Sequence, residues 1–344
     1  MWGKTAHGLV RFTKRYEVFG VVDHTLSGQD ALLYLDNKPS GIMIYEDIGS
    51  AVKRAKELKN PITHLVFGVA PDGGRLTVQV RKDILHAISL GLNVDCGLHY
   101  FLSEDEEMKQ AASLHGVTIR DIRKIPPREE LHGFTGRIKE VSSFRVALLG
   151  TDSCVGKRTT AWKIIEALET SGIKGEMIGT GQTAWLQGAR YGVRMDSLIN
   201  DFVAGEIENA ILEAWDNEKP AIMIIEGQGS LMNPLYPGGF EILSAGQPDV
   251  IIMQHAPKRV EYDGIPGAAI HPLSIQIQAA ELLSGKRVIA ITINHEELDP
   301  SDIKKVCTKI EEETHLLTID PLLQDMKPIV ELLISMMKEK RGTR

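Results

Sequence analysis

The chain has 344 residues, of which 43% are hydrophobic, and this length predicts two domains rather than one. Its formal net charge of -7, without a lysine- or arginine-rich run, argues against a nucleic-acid partner and favours a small-molecule substrate. No apolar run reaches the roughly 20 residues that a transmembrane helix needs, and the N-terminus lacks the apolar core of a signal peptide.

The three cysteines are far apart in the sequence and form neither a disulfide framework nor a zinc-binding pair. We therefore expect a reducing, cytoplasmic location, no membrane contact and no bound metal held by cysteine. A homo-oligomer is expected as well.

Short apolar runs alternate with amphipathic segments from the N-terminus onwards, which is typical of βα units in parallel sheets. A Rossmann-like domain is predicted over residues 1–125, although its first turn, VVDHTLSGQDA, lacks the GxGxxG pattern of a dinucleotide site. The loop GVAPDGG at 68–74 is predicted to be a tight turn. The strands predicted in this domain are 18–23, 41–45, 64–70, 92–98 and 117–122, with a helix at 104–116.

Residues 126–143 break this rhythm with two prolines and mixed charge, and they are predicted to form a linker. A second series of runs follows in residues 144–344, which are predicted to form a P-loop NTPase-like domain with a parallel sheet. These runs are continuously apolar, as strands buried on both faces of a parallel sheet should be. The strands predicted in this α/β domain are 145–150, 175–181, 221–227, 249–255, 287–294 and 315–320.

The stretch VALLGTDSCVGKRTTA at 146–161 has the order of a phosphate-binding loop: a strand, a glycine-bearing turn, and a helix opened by Lys157. Backbone N–H groups in such a turn and the helix N-terminus form an anion cradle, to which the lysine adds a mobile positive charge. The candidate cofactor-binding residues are Gly150, Thr151, Asp152, Ser153, Cys154, Val155, Gly156, Lys157, Arg158, Thr159 and Thr160.

Arg158 stands where such loops normally carry the hydroxyl residue that binds magnesium. Thr159 is one residue further, which turns its side chain by about 100° around the helix, so it cannot simply take over. Two alternatives remain open. Either Arg158 supplies charge in a loop that binds phosphate without metal, or it points to solvent and magnesium is held by Thr159, Asp152 or Glu226.

Polar side chains follow the apolar strands at the edge where open parallel sheets bind ligands. Glu226 is a candidate ligand of a metal or of a substrate amine, and Gln228 and Ser230 are candidates to bind a substrate or an acyl oxyanion. His255 is the predicted general base, because imidazole titrates near neutral pH. For Glu226 and His255, a purely structural role at a strand end is the alternative.

The segment GTGQTAWLQGARYG offers backbone amides, Gln182, Thr183 and the guanidinium of Arg190 to a substrate carboxylate. Arg190, Arg194 and Arg259 compete for the binding of an acidic substrate. Each of these arginines is alternatively an ordinary surface charge.

Two motifs resemble those of dethiobiotin synthetase and its relatives. GTDSCVGK resembles their phosphate-binding loop, and IIEGQGSL at 224–231 resembles their EGAGG segment. Asn294 stands where relatives in this group contact an adenine base, which ATP and CoA share. This resemblance implies an ATP-dependent kinase or ligase that uses magnesium.

Over nearly the whole chain, the sequence resembles the DgcN-type D-glutamate N-acetyltransferases, a family of two-domain bacterial and archaeal proteins. The resemblance implies that an acetyl group moves from acetyl-CoA to the amine of D-glutamate or a similar amino acid. CoA carries no transferable γ-phosphoryl group, so a loop without its magnesium hydroxyl suits CoA better than ATP. A non-catalytic nucleotide sensor is a third possibility. The shared motifs are GTDSCVGKRTTA, GTGQTAWLQG, DSLINDFVAGEIE, IIEGQGSLMNP, QPDVIIMQHAP, GVAPDGG and GLHYFL.

Overall fold

The computed structural model describes residues 3–69 and 76–342, so most of the tight turn predicted at 68–74 lies outside the described residues. The chain divides into two compact units. The first consists of Met1–Pro126 with Gln182–Gly188, and the second of Pro127–Gly181 with Ala189–Arg344. Within the described part of the chain, none of the helices has the length and apolar character that crossing a bilayer requires.

The first unit is an α/β structure whose strands all pair in parallel, as a two-stranded sheet β1-β2 and a three-stranded sheet β3-β4-β5. Every strand lies within one of the five predicted runs, and the Rossmann-like prediction is confirmed. The elements are α1 (Lys4–Arg11), β1 (Gly20–Val22), α2 (Ala31–Asp36), β2 (Met43–Tyr45), α3 (Ile48–Glu57), β3 (His64–Val66), α4 (Val78–Ser89), β4 (Asn93–Cys96), α5 (Glu106–His115), β5 (Ile119–Asp121) and α7 (Gln182–Gln187).

Aspartate side chains cap the first turns of three helices of this unit. The carboxylates of Asp30, Asp47 and Asp105 accept hydrogen bonds from backbone N–H groups in the first turns of α2, α3 and α5. Such caps satisfy donors that have no partner within the helix. The apolar faces of α4 and α5 then pack on the three-stranded sheet around Ile88, Val94 and Met108.

The second unit is built on a seven-stranded, all-parallel sheet with the strand order β12-β11-β10-β6-β9-β7-β8. The six predicted strands are confirmed, and the P-loop domain with them. Only the two-residue strand β8 is additional, because it is too short to produce an apolar run. The elements are β6 (Phe144–Gly150), α6 (Lys157–Thr170), β7 (Gly175–Gly179), β8 (Tyr191–Gly192), α8 (Asn200–Glu218), β9 (Ile222–Glu226), α9 (Phe240–Gly246), β10 (Val250–His255), α10 (Leu273–Ser284), β11 (Val288–Ile293), α11 (Ile303–Thr314), β12 (Leu317–Ile319) and α12 (Lys327–Gly342).

The central strand β6 is buried along its whole length. It pairs with β9 on one side and β10 on the other. After β6 the chain forms β7, β8 and β9 on one side of this strand, and then β10, β11 and β12 on the other side. Open α/β sheets bind ligands at such a switch point, outside the carboxyl ends of the strands.

The segment predicted as a linker, 126–143, is ordered structure within the second unit. Ile138 and Val141 are fully buried in the core beneath α8. The buried carboxylate of Glu208 accepts hydrogen bonds from the backbone N–H groups of Thr135 and Ile138. Burial of two apolar side chains and satisfaction of two backbone donors hold this segment in place.

Helix α7 was expected in the second domain, but it lies in the first unit. Leu186 packs against Leu9 and Ile122. The Gln187 amide donates to the carbonyl oxygens of Gly8 and Phe12, at 2.7 and 3.0 Å. The two hydrogen bonds join residues more than 170 positions apart, and local sequence patterns do not reveal them.

Candidate functional site

The loop 150–156 joins the carboxyl end of β6 to the N-terminus of α6 and curls tightly around its own side chains. A Cβ on Gly150 would lie 2.9 Å from side-chain atoms of both Lys157 and Val155. Gly156 has a φ of +105°, a conformation that L side chains rarely adopt. Glycine is therefore required at both ends of this loop, at Gly150 because side chains approach closely and at Gly156 because of the backbone conformation.

Lys157 lies buried inside the loop. Its Nζ donates to the carbonyl oxygens of Asp152 and Gly229, both at 2.7 Å. Burial lowers the pKa of Lys157 to about 8, since the charged form loses solvation. An anion placed beside this ammonium would compensate that loss.

Asp152 stabilises the loop through hydrogen bonds to its buried carboxylate. Its side chain is fully buried. Oδ1 accepts from Ser153 N and Asn233 Nδ2, both at 2.7 Å. Oδ2 accepts from Asp263 N at 2.8 Å and from Arg259 Nη1 at 2.9 Å. Both oxygens are saturated with protein donors, so Asp152 is unsuited to the magnesium role that the sequence left open.

Arg259 belongs to the same internal network and is not a free substrate ligand. Its Nε and Nη2 form a two-pronged contact with Glu296 at 2.7 and 2.8 Å, and Nη1 also donates to Ser153 O. Although burial opposes it, hydrogen bonding to Glu296 and Asp152 raises the pKa of Arg259. The guanidinium that was predicted to bind a substrate carboxylate is already bound to carboxylates of the protein.

Arg190 is likewise engaged elsewhere. It forms salt bridges with Glu176 and Glu218, the latter at 2.6 Å. Glu176 is the second residue of β7, whereas ligands of a parallel sheet bind beyond the carboxyl ends of the strands. The structure therefore places the partly exposed Arg190 in ion pairs with Glu176 and Glu218 and does not bring it to the loop.

Thr160 and Arg158 lie in the first turn of α6, next to the loop. The Thr160 hydroxyl is fully buried and donates to Gln254 Oε1 at 2.5 Å, so it serves the core. Arg158 Nη1 lies 4.0 Å from Glu226 Oε1, and 24% of the Arg158 side chain is exposed. The expectation of a solvent-pointing Arg158 does not hold, because its guanidinium faces a buried carboxylate. Thr159 lies partly exposed on α6.

Glu226 ends β9 and is buried beside this arginine. Its Oε2 accepts a hydrogen bond from Thr180 N at 3.2 Å. Burial raises the pKa of Glu226, while the charges of Arg158 and Lys157 oppose the rise. A buried carboxylate of this kind binds protons more readily than a surface glutamate.

His255 ends β10 next to the loop, and its Nδ1 lies 3.0 Å from Thr151 Oγ1. Burial lowers the pKa of His255 to about 4, and the charge of Arg259 acts in the same direction. The premise that this imidazole titrates near neutral pH is therefore wrong. His255 is neutral at pH 7, but it is a weak proton acceptor.

Gln228 and Ser230 lie in the turn that follows β9. Ser230 is buried and engaged: its hydroxyl donates to Thr151 O at 3.3 Å and accepts from Met232 N at 3.2 Å. Gln228 Oε1 is buried and has no hydrogen-bond partner among the described residues. A buried acceptor without a partner is a point where a ligand donor would be stabilised.

Asn294 follows β11 and lies at the loop. Its Nδ2 is 3.9 Å from the position that a Cβ on Gly156 would take, and its Oδ1 accepts from Glu296 N. Gln182 and Thr183 have contacts in the first unit instead. Thr183 Oγ1 lies 3.0 Å from Thr5 Oγ1.

Sequence reasoning missed the polar residues that position the loop from neighbouring strands. Gln254 accepts hydrogen bonds from both Thr160 and Thr292 at 2.5 Å. Thr180 donates to Glu226 through both its backbone N–H and its hydroxyl. One signal was present in the sequence: the polar Gln254 directly follows the apolar run VIIM at 250–253.

In the part of the chain that the structure describes, the cysteines and acidic residues do not gather into a metal centre. Cys154 is exposed in the loop, and burial raises the pKa of Cys96 to about 12. Across residues 3–69 and 76–342, no three His, Cys, Asp or Glu side chains are grouped as ligands of one ion.

Comparison with known proteins matches both parts of the chain to one family. Residues 132–330 match the model described as "Domain of unknown function (DUF1611_C) P-loop domain". Residues 24–125 match "Domain of unknown function (DUF1611_N) Rossmann-like domain". A crystal structure of a DUF1611 family protein from Anabaena variabilis is similar, with a TM-score of 0.88 and 25% identity over 97% of this chain and 96% of that one.

Two curated relatives carry the name D-glutamate N-acetyltransferase. The protein from Tritonibacter scottomollicae is 30% identical over 275 residues, which are 78% of this chain and 80% of the relative. The protein from a Pseudoalteromonas species is 28% identical over 275 residues, 77% of this chain and 79% of the relative.

Proposed function

Because this chain belongs to the DUF1611 family, with both its Rossmann-like and its P-loop domain, we propose that it is an N-acetyltransferase acting on D-glutamate or a similar amino acid. Acetyl-CoA is the proposed donor, and the loop 150–156 is the proposed site for the phosphates of CoA. The observation that carries this proposal is the activity named for the relative that aligns with 78% of the chain.

The chemistry of the loop supports CoA over ATP. Phosphoryl transfer needs a metal ion that bridges the phosphates and neutralises developing charge. Here Thr160 is engaged with Gln254, and Asp152 is saturated by protein donors. Lys157 and the N-terminus of α6 remain suited to an anion. A loop of this kind can hold phosphates that do not react.

In the proposed reaction, the acceptor amine first loses the proton of its ammonium form. The nitrogen then attacks the thioester carbonyl, the C–N bond forms and the C–S bond breaks. The second proton, which the nitrogen loses as it becomes an amide, passes to the departing CoA thiolate. Glu226 replaces His255 as the proposed proton acceptor, because burial raises the pKa of Glu226 and lowers that of His255. The unpartnered Gln228 Oε1 is proposed to accept a hydrogen bond from the amine.

The test incubates the purified chain with acetyl-CoA and D-glutamate, with L-glutamate as the control. CoA release is followed through its thiol, and the product is identified by mass spectrometry. We expect N-acetyl-D-glutamate to form at the same rate with and without EDTA. Magnesium-dependent ATP hydrolysis without acetyl transfer would instead support a kinase or ligase.

A further inference from the structure

Arg194 differs from the other two arginines that the sequence offered as carboxylate ligands. Arg190 and Arg259 form salt bridges with carboxylates of the protein. Arg194 Nε is buried and has no hydrogen-bond partner among the described residues. A buried donor left unpaired costs free energy, and folded proteins contain few of them.

A second orphaned group lies in the same turn. The Ser197 hydroxyl oxygen is buried and also has no partner within residues 3–69 and 76–342. The turn itself is well formed, since Ser197 N donates to Arg194 O at 2.9 Å. A guanidinium and a hydroxyl three residues apart thus hold unused hydrogen-bonding capacity in one rigid segment.

The turn lies at the carboxyl edge of the sheet. Backbone hydrogen bonds join Val193 N to Gly179 O at 2.8 Å and Met195 N to Thr180 O at 3.3 Å. Thr180 in turn donates to Glu226. Arg194 therefore follows the end of β8, which β7 separates from β9, the strand that ends in the proposed proton acceptor Glu226.

The electrostatics of Arg194 call for an anion. Burial lowers its pKa, and the charge of Glu206 only partly opposes this. The Glu206 carboxylate is itself hydrogen-bonded to His132, through the backbone N–H at 2.7 Å and the ring at 2.9 Å. No salt bridge to Arg194 is formed within the described part of the chain.

We propose that Arg194 and Ser197 bind a carboxylate of the acceptor amino acid, an inference that rests on the proposed acetyl transfer. A guanidinium matches a carboxylate with two parallel hydrogen bonds, and the hydroxyl supplies a third donor. Binding satisfies both orphaned groups at once. It selects an acidic amino acid and holds it at the carboxyl edge of the sheet, where β9 ends in Glu226.

The test compares Arg194→Lys, which keeps the charge and loses the planar fork, with Ser197→Ala and with the matched control Arg190→Lys. The KM values of D-glutamate and acetyl-CoA are measured separately. We expect Arg194→Lys to raise the KM of D-glutamate roughly tenfold or more and leave that of acetyl-CoA unchanged. Ser197→Ala should give a smaller rise, and the control should change neither.

D-glutamine, which lacks the side-chain carboxylate, identifies the group that is bound. A lost preference for D-glutamate over D-glutamine in Arg194→Lys assigns the side-chain carboxylate. An equal rise in KM for both assigns the α-carboxylate. An unchanged acceptor KM in Arg194→Lys and Ser197→Ala would overturn the inference, as would equal increases for donor and acceptor.

The inference and the proposed function fail separately. If the wild-type protein transfers no acetyl group, the proposed function is lost. Calorimetric titration with glutarate, a dicarboxylate without an amine, then tests the site alone. Weaker glutarate binding by Arg194→Lys supports the site, and a wild-type protein that binds no glutarate overturns it.

Discussion

Arg158 Nη1 lies 4.0 Å from Glu226 Oε1 at the carboxyl edge of the seven-stranded sheet. Arg158 directly follows the loop residue Lys157 in the sequence, and its guanidinium faces the buried carboxylate of Glu226. Burial lowers the pKa of Arg158 and raises that of Glu226, and each charge opposes the shift of the other. Removing either partner should therefore change what the loop binds.

Arg158→Thr restores the GKT order of magnesium-binding loops. We expect it to weaken CoA binding roughly tenfold and to increase the affinity for magnesium-ATP, because a charge-assisted contact is lost and a hydroxyl is gained. Calorimetry with CoA and with ATP, with and without magnesium, measures both. Lys163→Thr, on the exposed face of α6, is the matched control. Unchanged affinities for both ligands would show that Arg158 contributes to packing and not to ligand binding.

Donor binding should depend on pH through Lys157. The pKa of this lysine is lowered to about 8 by burial, and a bound phosphate should raise it again. Above pH 8 the free lysine is neutral, so binding must take up a proton, and affinity should fall as pH rises through 8. Calorimetry in buffers of different ionisation enthalpy detects this uptake.

The substitution Lys157→Arg introduces a guanidinium, which keeps its charge at these pH values, and it should abolish the proton uptake. Lys157→Met should bind CoA weakly at every pH. An affinity of the wild-type protein that stays constant from pH 7 to pH 9 would contradict a phosphate contact at this lysine.

His255 should lower the stability of the protein in mild acid. Its pKa is lowered to about 4 in the folded state, against about 6.5 in the unfolded chain. Between these values the unfolded chain binds the proton and the folded protein does not, so the free energy of unfolding falls as pH drops. The loss should be at most about 3 kcal/mol.

Urea unfolding at pH 7 and pH 5 measures this slope. His255→Asn should reduce it, while His115→Asn, at an exposed position on α5, should not. The same variants test the chemistry, because a pH profile of kcat/KM that is unaltered in His255→Asn excludes this residue as the base. A slope that persists in His255→Asn would assign the acid sensitivity to other groups.

Arg259 should matter for stability more than for acceptor binding. Arg259→Gln leaves the buried Asp152 without its charged partner, and breaking a buried pair in this way costs about 3–5 kcal/mol. Arg137→Gln, the matched control, removes an exposed pair with Glu140 and should cost about 1 kcal/mol or less. Urea unfolding compares the two, and a folded, stable Arg259→Gln with a selectively raised acceptor KM would return Arg259 to the substrate site.

The fold and the position of the loop could be predicted because they depend on local patterns. Continuous apolar runs correspond to strands buried on both faces, as in β6 and β9. Gly150 and Lys157 are separated by a short turn, so the anion cradle is visible in a few consecutive residues. The short strand β8 was not predicted, because two residues are too few to show a periodic pattern.

The properties of the site depended on contacts between distant residues, and only the tertiary structure decided them. Arg259 meets Asp152 across 107 positions of sequence, whereas Arg194 Nε meets no acceptor among the described residues. In the sequence, both arginines were equivalent candidates for binding a substrate carboxylate. Burial likewise moved the pKa of His255 away from neutrality, since desolvation depends on everything packed around a group and not on its neighbours in the chain.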